Sequence, residues 1–413
     1  MSYTEWVKGP FGLDAAKGMT VRGQRKVLAV VHHLAAGTRL ADVLPMLESD
    51  RRIQVVFTTP PASIFTRGTA EYLRGLGGLV LPWGQATQLS FDLAVAAGTG
   101  MLEQLHAPVM TIPHGSGQGS LLRRRVVGLG PSAARPVSGL LPERLVVGGR
   151  VVPSVFVVPH ERQRRLIEQR CPEALPVVVV GGDPCFDRLA ASGGLRDCYR
   201  RALNVDRGQQ LVLVSSTWNE ESSLGRHPDL LFRLATELPP EKFRIAAVLH
   251  PNVWSWHGRR QVTAWQADCL QLGVRLIPPE EGWRAAAVAA DRIIGDSGSV
   301  TYYGAALGVP VLLAAFPDDR IPPGSHVGRL GSIAPRLDWD KPVEPQLDDA
   351  VHAYNADVHT GLRDLLTSKP GESAGIIRRE MYRLMRLAEP ERPPRVHPVP
   401  PPSPIPFEGD RAA

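Results

Sequence analysis

"DRIIGDSGSVTYYGAALGVPVLLAAFPD", Asp291 to Asp318, reads as a strand, a helix and a second strand with hardly a spare residue between them. The apolar run around Ile293 and Ile294 stops at a small polar turn, Gly295 to Ser299. "TYYGAALG" follows with helical character, and "VPVLLAAFPD" is again an unbroken apolar run. Apolar runs without polar alternation, joined through a helix, predict parallel strands covered on both faces.

Outward from this stretch the same unit recurs. Upstream, "QQLVLVSSTW", "FRIAAVLHPN" and "VRLIPP" read as strands, with "PDLLFRLATEL", "RRQVTAWQADCLQLG" and "GWRAAAVAA" as the helices between them. Nearer the start, "KVLAVVHHL", "RIQVVFTTPP", "LVLPW", "FDLAVAAGT" and "APVMTIPHG" read as strands, and "GTRLADVLPMLESD", "TAEYLRGLGG" and "GMLEQLH" as helices. "RLVVGGRVVPSVFVVPH" adds further strand, "ERQRRLIEQRCPEA" a helix, and "LPVVVVGGDPCFDRLAAS" a strand that runs into the Gly-Gly-Asp-Pro turn at 181–184.

These readings predict an α/β protein of two doubly wound, Rossmann-like domains facing a central cleft, into which strand carboxyl ends point. The expected boundaries are 1–188 for an N-terminal acceptor domain and 189–388 for a C-terminal nucleotide-donor domain. The second includes a final helix, "GESAGIIRREMYRLMRLAE". Residues 389–413, "EPERPPRVHPVPPPSPIPFEGDRAA", are proline-dense without apolar period and read as a disordered or polyproline tail.

Composition narrows the function classes. The chain has 413 residues, 43% hydrophobic and 21% charged, with no apolar run of membrane-spanning length. His32 and His33 cut short the apolar segment that would make a signal peptide of the start, so a cytoplasmic location is expected. The formal net charge of +6 is spread along the chain, with clusters at Arg123 to Arg125, Glu161 to Arg165 and "IIRREMYR". Such clusters read as solvated helix faces, and no zinc-finger or ribonucleoprotein pattern accompanies them, so nucleic acid is not an expected partner. Cys171, Cys185, Cys198 and Cys269 lack any paired metal-ligand spacing and are expected reduced and structural.

Three strand ends are candidates for chemistry: "TIPHGSGQGS", "LHPN" and "GDSGSVTYYGAALG". In the last, Ser297, Gly298, Ser299 and Thr301 sit where a strand hands over to a helix. There unpaired N–H groups and the helix dipole favour an anion such as a phosphate, although the same residues also make an ordinary helix cap. His250, fixed by Pro251, is either a diphosphate donor or a polar residue at the edge of a core. Thr217, Asp296 and Asp318 end strands and are candidate nucleotide or acceptor contacts, as are Gly115 and Ser116. No Asp-x-Asp pair stands at a strand end, so no metal is expected. An imidazole at His114 suits removal of a proton from an acceptor hydroxyl, and the glycines that follow leave room for it. The alternative is a histidine in a strand-ending turn.

"PHGS", "LHP" and "GDSGSVTYYGAALGVPVL", in this order, resemble the CDP-glycerol glycerophosphotransferase family, and "GGDPCFD" resembles its Gly-x-Pro-x-x-Asp turn. The resemblance runs in short motifs from about Val109 to Asp318. It implies a GT-B fold, His114 as general base, and His250, Ser297 and Ser299 on the donor diphosphate. Ser116, Gly117 and Gln118 stand here in place of the family's Thr-Pro and lysine, which bears on acceptor recognition. A weaker similarity, in "GTRLADVLPML", "LHPN" and "GDSG", is to non-hydrolysing UDP-N-acetylglucosamine 2-epimerases. Here "PHGSG" and "SVTYY" replace the carboxylate-bearing turns of that group.

The expected function is therefore a metal-independent transferase that moves a glycerophosphate or glycosyl group from a nucleotide-diphosphate donor to an acceptor hydroxyl. Attack at phosphorus and attack at an anomeric carbon both stay open. The donor is a substrate, no cofactor is expected, no stable membrane insertion is expected, and a homodimer is an open assembly. The alternatives are a sugar-nucleotide epimerase or hydrolase, and a non-catalytic module that keeps the nucleotide pocket.

Overall fold

Runs dominated by Val, Ile, Leu and Ala form the strands of two parallel sheets. The computed structural model describes residues 6–12, 15–21, 25–117, 142–322 and 324–406. Arg123 to Arg125, Gln118 and residues 407–413 lie outside them. The chain divides into two compact units: residues up to 117, 142–187 and 367–396 in the first, and 188–366 with 397–406 in the second.

The first unit is built on seven parallel strands: β1 (Arg25–Val30), β2 (Ile53–Thr58), β3 (Val80–Leu81), β4 (Leu93–Ala96), β5 (Val109–Thr111), β6 (Val155–Val158) and β7 (Val178–Val180). Their order is β3-β2-β1-β4-β5-β6-β7, so the chain reverses direction across the sheet between β1 and β4. Alternate residues feed two cores, because successive side chains of a strand point to opposite faces. Val27 and Ala29 pack with Ala36, Leu40 and Leu73, while Leu28 and Val30 pack with Phe11, Leu102 and Leu105. Each fully buried Val or Leu side chain among them contributes roughly 1.5–3 kcal/mol.

The second unit repeats the plan with β8 (Gln210–Ser216), β9 (Phe243–Leu249), β10 (Arg275–Ile277), β11 (Arg292–Gly295) and β12 (Val311–Leu313). The order β10-β9-β8-β11-β12 places its reversal between β8 and β11. Val212 and Val214 pack there with Leu230, Leu231 and Leu234 of the following helix. Both units are thus doubly wound, as the alternation of apolar runs and helices implies.

Several local expectations change. The helix expected over Gly37 to Asp50 is two pieces, Leu34–Leu40 and Pro45–Glu48, because Pro45 cannot continue the first and instead starts the second. "GMLEQLH" forms only a 3-10 turn, Leu102–Gln104. "VVGGRV" is a hairpin: Gly148 and Gly149 both take positive φ, as its two-residue turn requires.

The chain passes from the first unit to the second after Asp187 and returns to the first at Thr367, so the final helix belongs to the first unit. That helix, Ser373–Leu384, lays Ile377, Met381 and Tyr382 on the first sheet beside Val27 and Ala29. Its start is held by the Asp187 carboxylate, which accepts from the N–H groups of Gly371 (2.7 Å) and Ser373 (3.1 Å) and from the Ser373 hydroxyl.

Of the two readings of residues 389–413, disordered or polyproline, it is disorder that is corrected, for the part described. It forms neither helix nor strand, since proline removes the N–H donors a ladder needs. Its non-proline residues supply anchors instead. Within the first unit Glu389 pairs with Arg378 at 2.6 Å. Within the second, Val399 is buried, donates its N–H to Ser192 Oγ (2.9 Å) and accepts from the Tyr199 hydroxyl (2.6 Å). Ile405 donates to the Leu276 carbonyl of β10. All four cysteines are free thiols, three of them buried. Among the described residues no helix is long and apolar enough to cross a membrane.

Candidate functional site

In an open α/β sheet, ligands bind beyond the carboxyl ends of the strands where the order reverses. In the second unit that point lies between β8, which runs into Thr217, and β11, which runs into Asp296. Asp296 is fully buried. Its Oδ2 accepts from the Thr217 N–H and hydroxyl (2.8 Å each) and the Ser223 N–H (3.0 Å), and its Oδ1 from the Gly298 N–H (3.0 Å). Burial pushes its pKa up, and these donors act against that by favouring the ionised form.

The helix Ser299–Ala306 begins at Gly298, and no side chain caps it. A Cβ at 298 would stand 2.7 Å from Thr217 Cγ2 and 2.9 Å from Asp296 Oδ1, so only glycine fits the knot. Ser297 and Ser299 flank it, half-buried. Exposed amide donors at such a helix start favour a phosphate oxygen. His250 caps the helix Pro251–His257 by accepting the Asn252 N–H at Nδ1 (3.1 Å), which puts the proton of the neutral ring on Nε2. His250 thus has a structural role as the cap of this helix.

Four expected contacts are corrected. Asp296 is buried and its oxygens are taken by the chain, so it positions the turn rather than touching ligand. Thr217 commits its hydroxyl hydrogen to Asp296 in the same knot. Thr301 is fully buried, with its hydroxyl directed under β11: a Cβ on Gly295 would fall 2.3 Å from Thr301 Oγ1, so Gly295 makes room for it and it cannot reach a phosphate. Asp318 stands outside the strand end, exposed on a 3-10 turn and paired with Arg336 at 2.9 Å.

In the first unit the reversal lies between β1, which runs into His32 and His33, and β4, which runs into Ala97. His114, just beyond β5, meets both. Its Nδ1 lies 2.9 Å from the Ala97 carbonyl oxygen. A carbonyl only accepts, so Nδ1 carries the proton and Nε2 keeps its lone pair. The His33 ring packs edge-on against it, centroids 4.8 Å apart and planes at 81°. His33 caps the helix Leu34–Leu40 through Nδ1, and the neighbouring His32 is buried with its Nε2 at 3.0 Å from the Gly100 carbonyl. His114 reaches solvent. The protein around it and the Arg39 charge nonetheless lower its pKa below the ordinary histidine value, with the Ala97 bond pulling the other way. Gly115 takes positive φ, and Ser116 is buried beside it.

Sequence reasoning missed Arg39 and Asp183. Arg39, buried on the helix Leu34–Leu40, donates to Asp183 Oδ1 at 2.9 Å and to the Gly115 carbonyl. Asp183 Oδ1 also receives the N–H groups of Cys185 (2.9 Å) and Phe186 (3.0 Å) at the start of the helix Pro184–Ala191. Among the described residues no group of three or more His, Cys, Asp and Glu side chains is arranged to hold a metal ion.

No protein-family model and no curated protein matches the sequence. Solved structures do resemble it. The wall teichoic acid polymerase TagF, in a form soaked with CDPG, is 11% identical at a TM-score of 0.56, over 88% of this chain and 89% of that one. An alanine variant of TagF is 12% identical at a TM-score of 0.54, with the same coverage. At such identity the likeness is one of fold, and it places this chain's two doubly wound units in the GT-B fold.

Proposed function

We propose that this chain is a metal-independent transferase that takes a nucleotide-diphosphate donor and passes a glycerophosphate or glycosyl group to an acceptor hydroxyl. The observation that carries the reading is the His114 imidazole. It stands at the strand-order reversal with Nδ1–H tied to the Ala97 carbonyl, which leaves a lone pair on Nε2 for a proton. For the donor diphosphate the reading takes, in the second unit, the helix start at Ser297, Gly298 and Ser299 together with the imidazole of His250.

In this reading the acceptor hydroxyl gives its proton to His114 Nε2 as its oxygen bonds to the donor. Attack at the distal phosphorus breaks the bond between the two phosphates and releases a nucleoside monophosphate. Attack at an anomeric carbon breaks the carbon–oxygen bond and releases a nucleoside diphosphate. The helix dipole and amide donors stabilise the negative charge of either leaving group. The resemblance to the glycerophosphotransferase motifs, together with the fold shared with TagF, favours the first.

Incubation of the chain with CDP-glycerol or with UDP-sugars, in the presence of glycerol 3-phosphate and simple sugars as acceptors, tests this by chromatography of the released nucleotide. We expect CMP from CDP-glycerol. UDP from a UDP-sugar would move the reading to glycosyl transfer, and no nucleotide release from any pair would contradict a transferase.

A further inference from the structure

We infer that the buried Arg39–Asp183 pair is the positioning device of the His114 turn, with Arg39 holding the Gly115 carbonyl so that the imidazole keeps its place against Ala97. The inference rests on the reading of His114 as the base and names the residues that make it one.

Three segments far apart in sequence meet at this pair. Asp183 is fixed first: its Oδ1 takes two N–H groups at the start of the helix Pro184–Ala191. That carboxylate fixes one arm of the Arg39 guanidinium, and the other arm reaches the Gly115 carbonyl. Gly115 has φ +72, so the turn that follows His114 departs from extended backbone at the residue Arg39 grips. The imidazole itself is bounded by the Ala97 carbonyl at Nδ1 and by the edge of the His33 ring. Only a planar fork delivers two donors in fixed directions, which is why lysine would not reproduce this arginine. A charge pair this deeply buried is costly to desolvate, and its polar connection to one turn suggests that it serves to hold geometry as much as to add stability.

The charged and titratable groups around His114 are Arg39, on the helix Leu34–Leu40, and His32 and His33 at the end of β1; Arg39 in turn pairs with Asp183 and, just past the end of its helix, with Asp42. Arg39 opposes protonation of His114. Fork and charge are therefore separable by variant. Arg39→Lys keeps the charge and loses the fork. Arg39→Gln with Asp183→Asn removes both charges and keeps neutral polar groups in place, which guards against a variant that fails to fold.

The test follows the His114 ring by NMR titration of the full chain, the signal being assigned by its loss in His114→Ala, alongside kcat and the donor KM. For Arg39→Lys we expect kcat to fall about tenfold or more with the KM within about twofold, as for a displaced base. For the double variant we expect His114 to titrate at higher pH than in the wild type. A His114 titration unmoved in the double variant, or a kcat unchanged in Arg39→Lys, would overturn the inference. Should His114→Ala keep its activity, the base reading fails, and the shift in the ring's titration still decides whether Arg39 and Asp183 govern its surroundings.

Discussion

Replacing His114 with alanine is expected to lower nucleotide release by roughly two to four orders of magnitude, the span that a positioned general base contributes. The lone pair on Nε2 is lost, and no neighbouring ring stands ready to take its place. His33 uses its Nδ1 to cap a helix, and His32 is buried against Gly100. Donor affinity should stay within a few-fold, because the proposed phosphate contacts belong to the second unit. The pH profile carries a second signature. The protein mass around His114 and the Arg39 charge lower its pKa, so the base stays neutral to lower pH than an ordinary histidine. The acid limb of kcat should therefore have its midpoint below about 6.5. A profile that rises through a higher midpoint, or a variant that keeps full turnover, would remove His114 from this role.

Asp296→Ala should be the most damaging change in the second unit. It leaves the N–H groups of Thr217, Ser223 and Gly298 and the Thr217 hydroxyl without their acceptor in a fully buried setting. Unmet buried donors cost about 1–3 kcal/mol each, and allowing for their shared partner a loss of roughly 3–5 kcal/mol is expected. Because Gly298 starts the helix that would hold the donor phosphate, binding should fail together with stability. Thermal unfolding and calorimetry on the same sample check both. Asp296→Asn, which keeps one acceptor oxygen, should fall between the wild type and alanine. An alanine variant that melts and binds as the wild type does would show that the knot is incidental.

The strands were legible because each buried strand is an apolar run bounded by glycine, proline or small polar residues, as in "FRIAAVLHPN" and "RIIGDSG". The two strand-order reversals, and with them the places to look for chemistry, follow from that alternation. What could not be read is which polar residues turn inward. Asp296 and Thr301 stand in the same short stretch as Ser297 and Ser299, and only the packing of Thr301 under Gly295 and the donors around Asp296 separate them.

Arg39 was hidden for a different reason. On a short amphipathic helix an arginine reads as solvent-facing, and the carboxylate that allows its burial lies 144 residues away. The final helix is a similar case, its start tied to Asp187 across 186 residues. The proline-dense segment misled because its composition removes backbone donors. The donors it retains at Val399 and Ile405, with its carbonyls and the Glu389 carboxylate, are what bind it.

Isothermal titration of the full chain with CDP, UDP, GDP and ADP, repeated on the variant with Ser297→Ala and Ser299→Ala, tests the central claim most directly. We predict that at least one diphosphate binds, and that the double variant binds it more weakly by roughly 1–3 kcal/mol, the range for lost hydrogen bonds to a charged group. Binding of none of the four, or equal affinity in the double variant, would contradict a donor phosphate held at the start of the helix Ser299–Ala306.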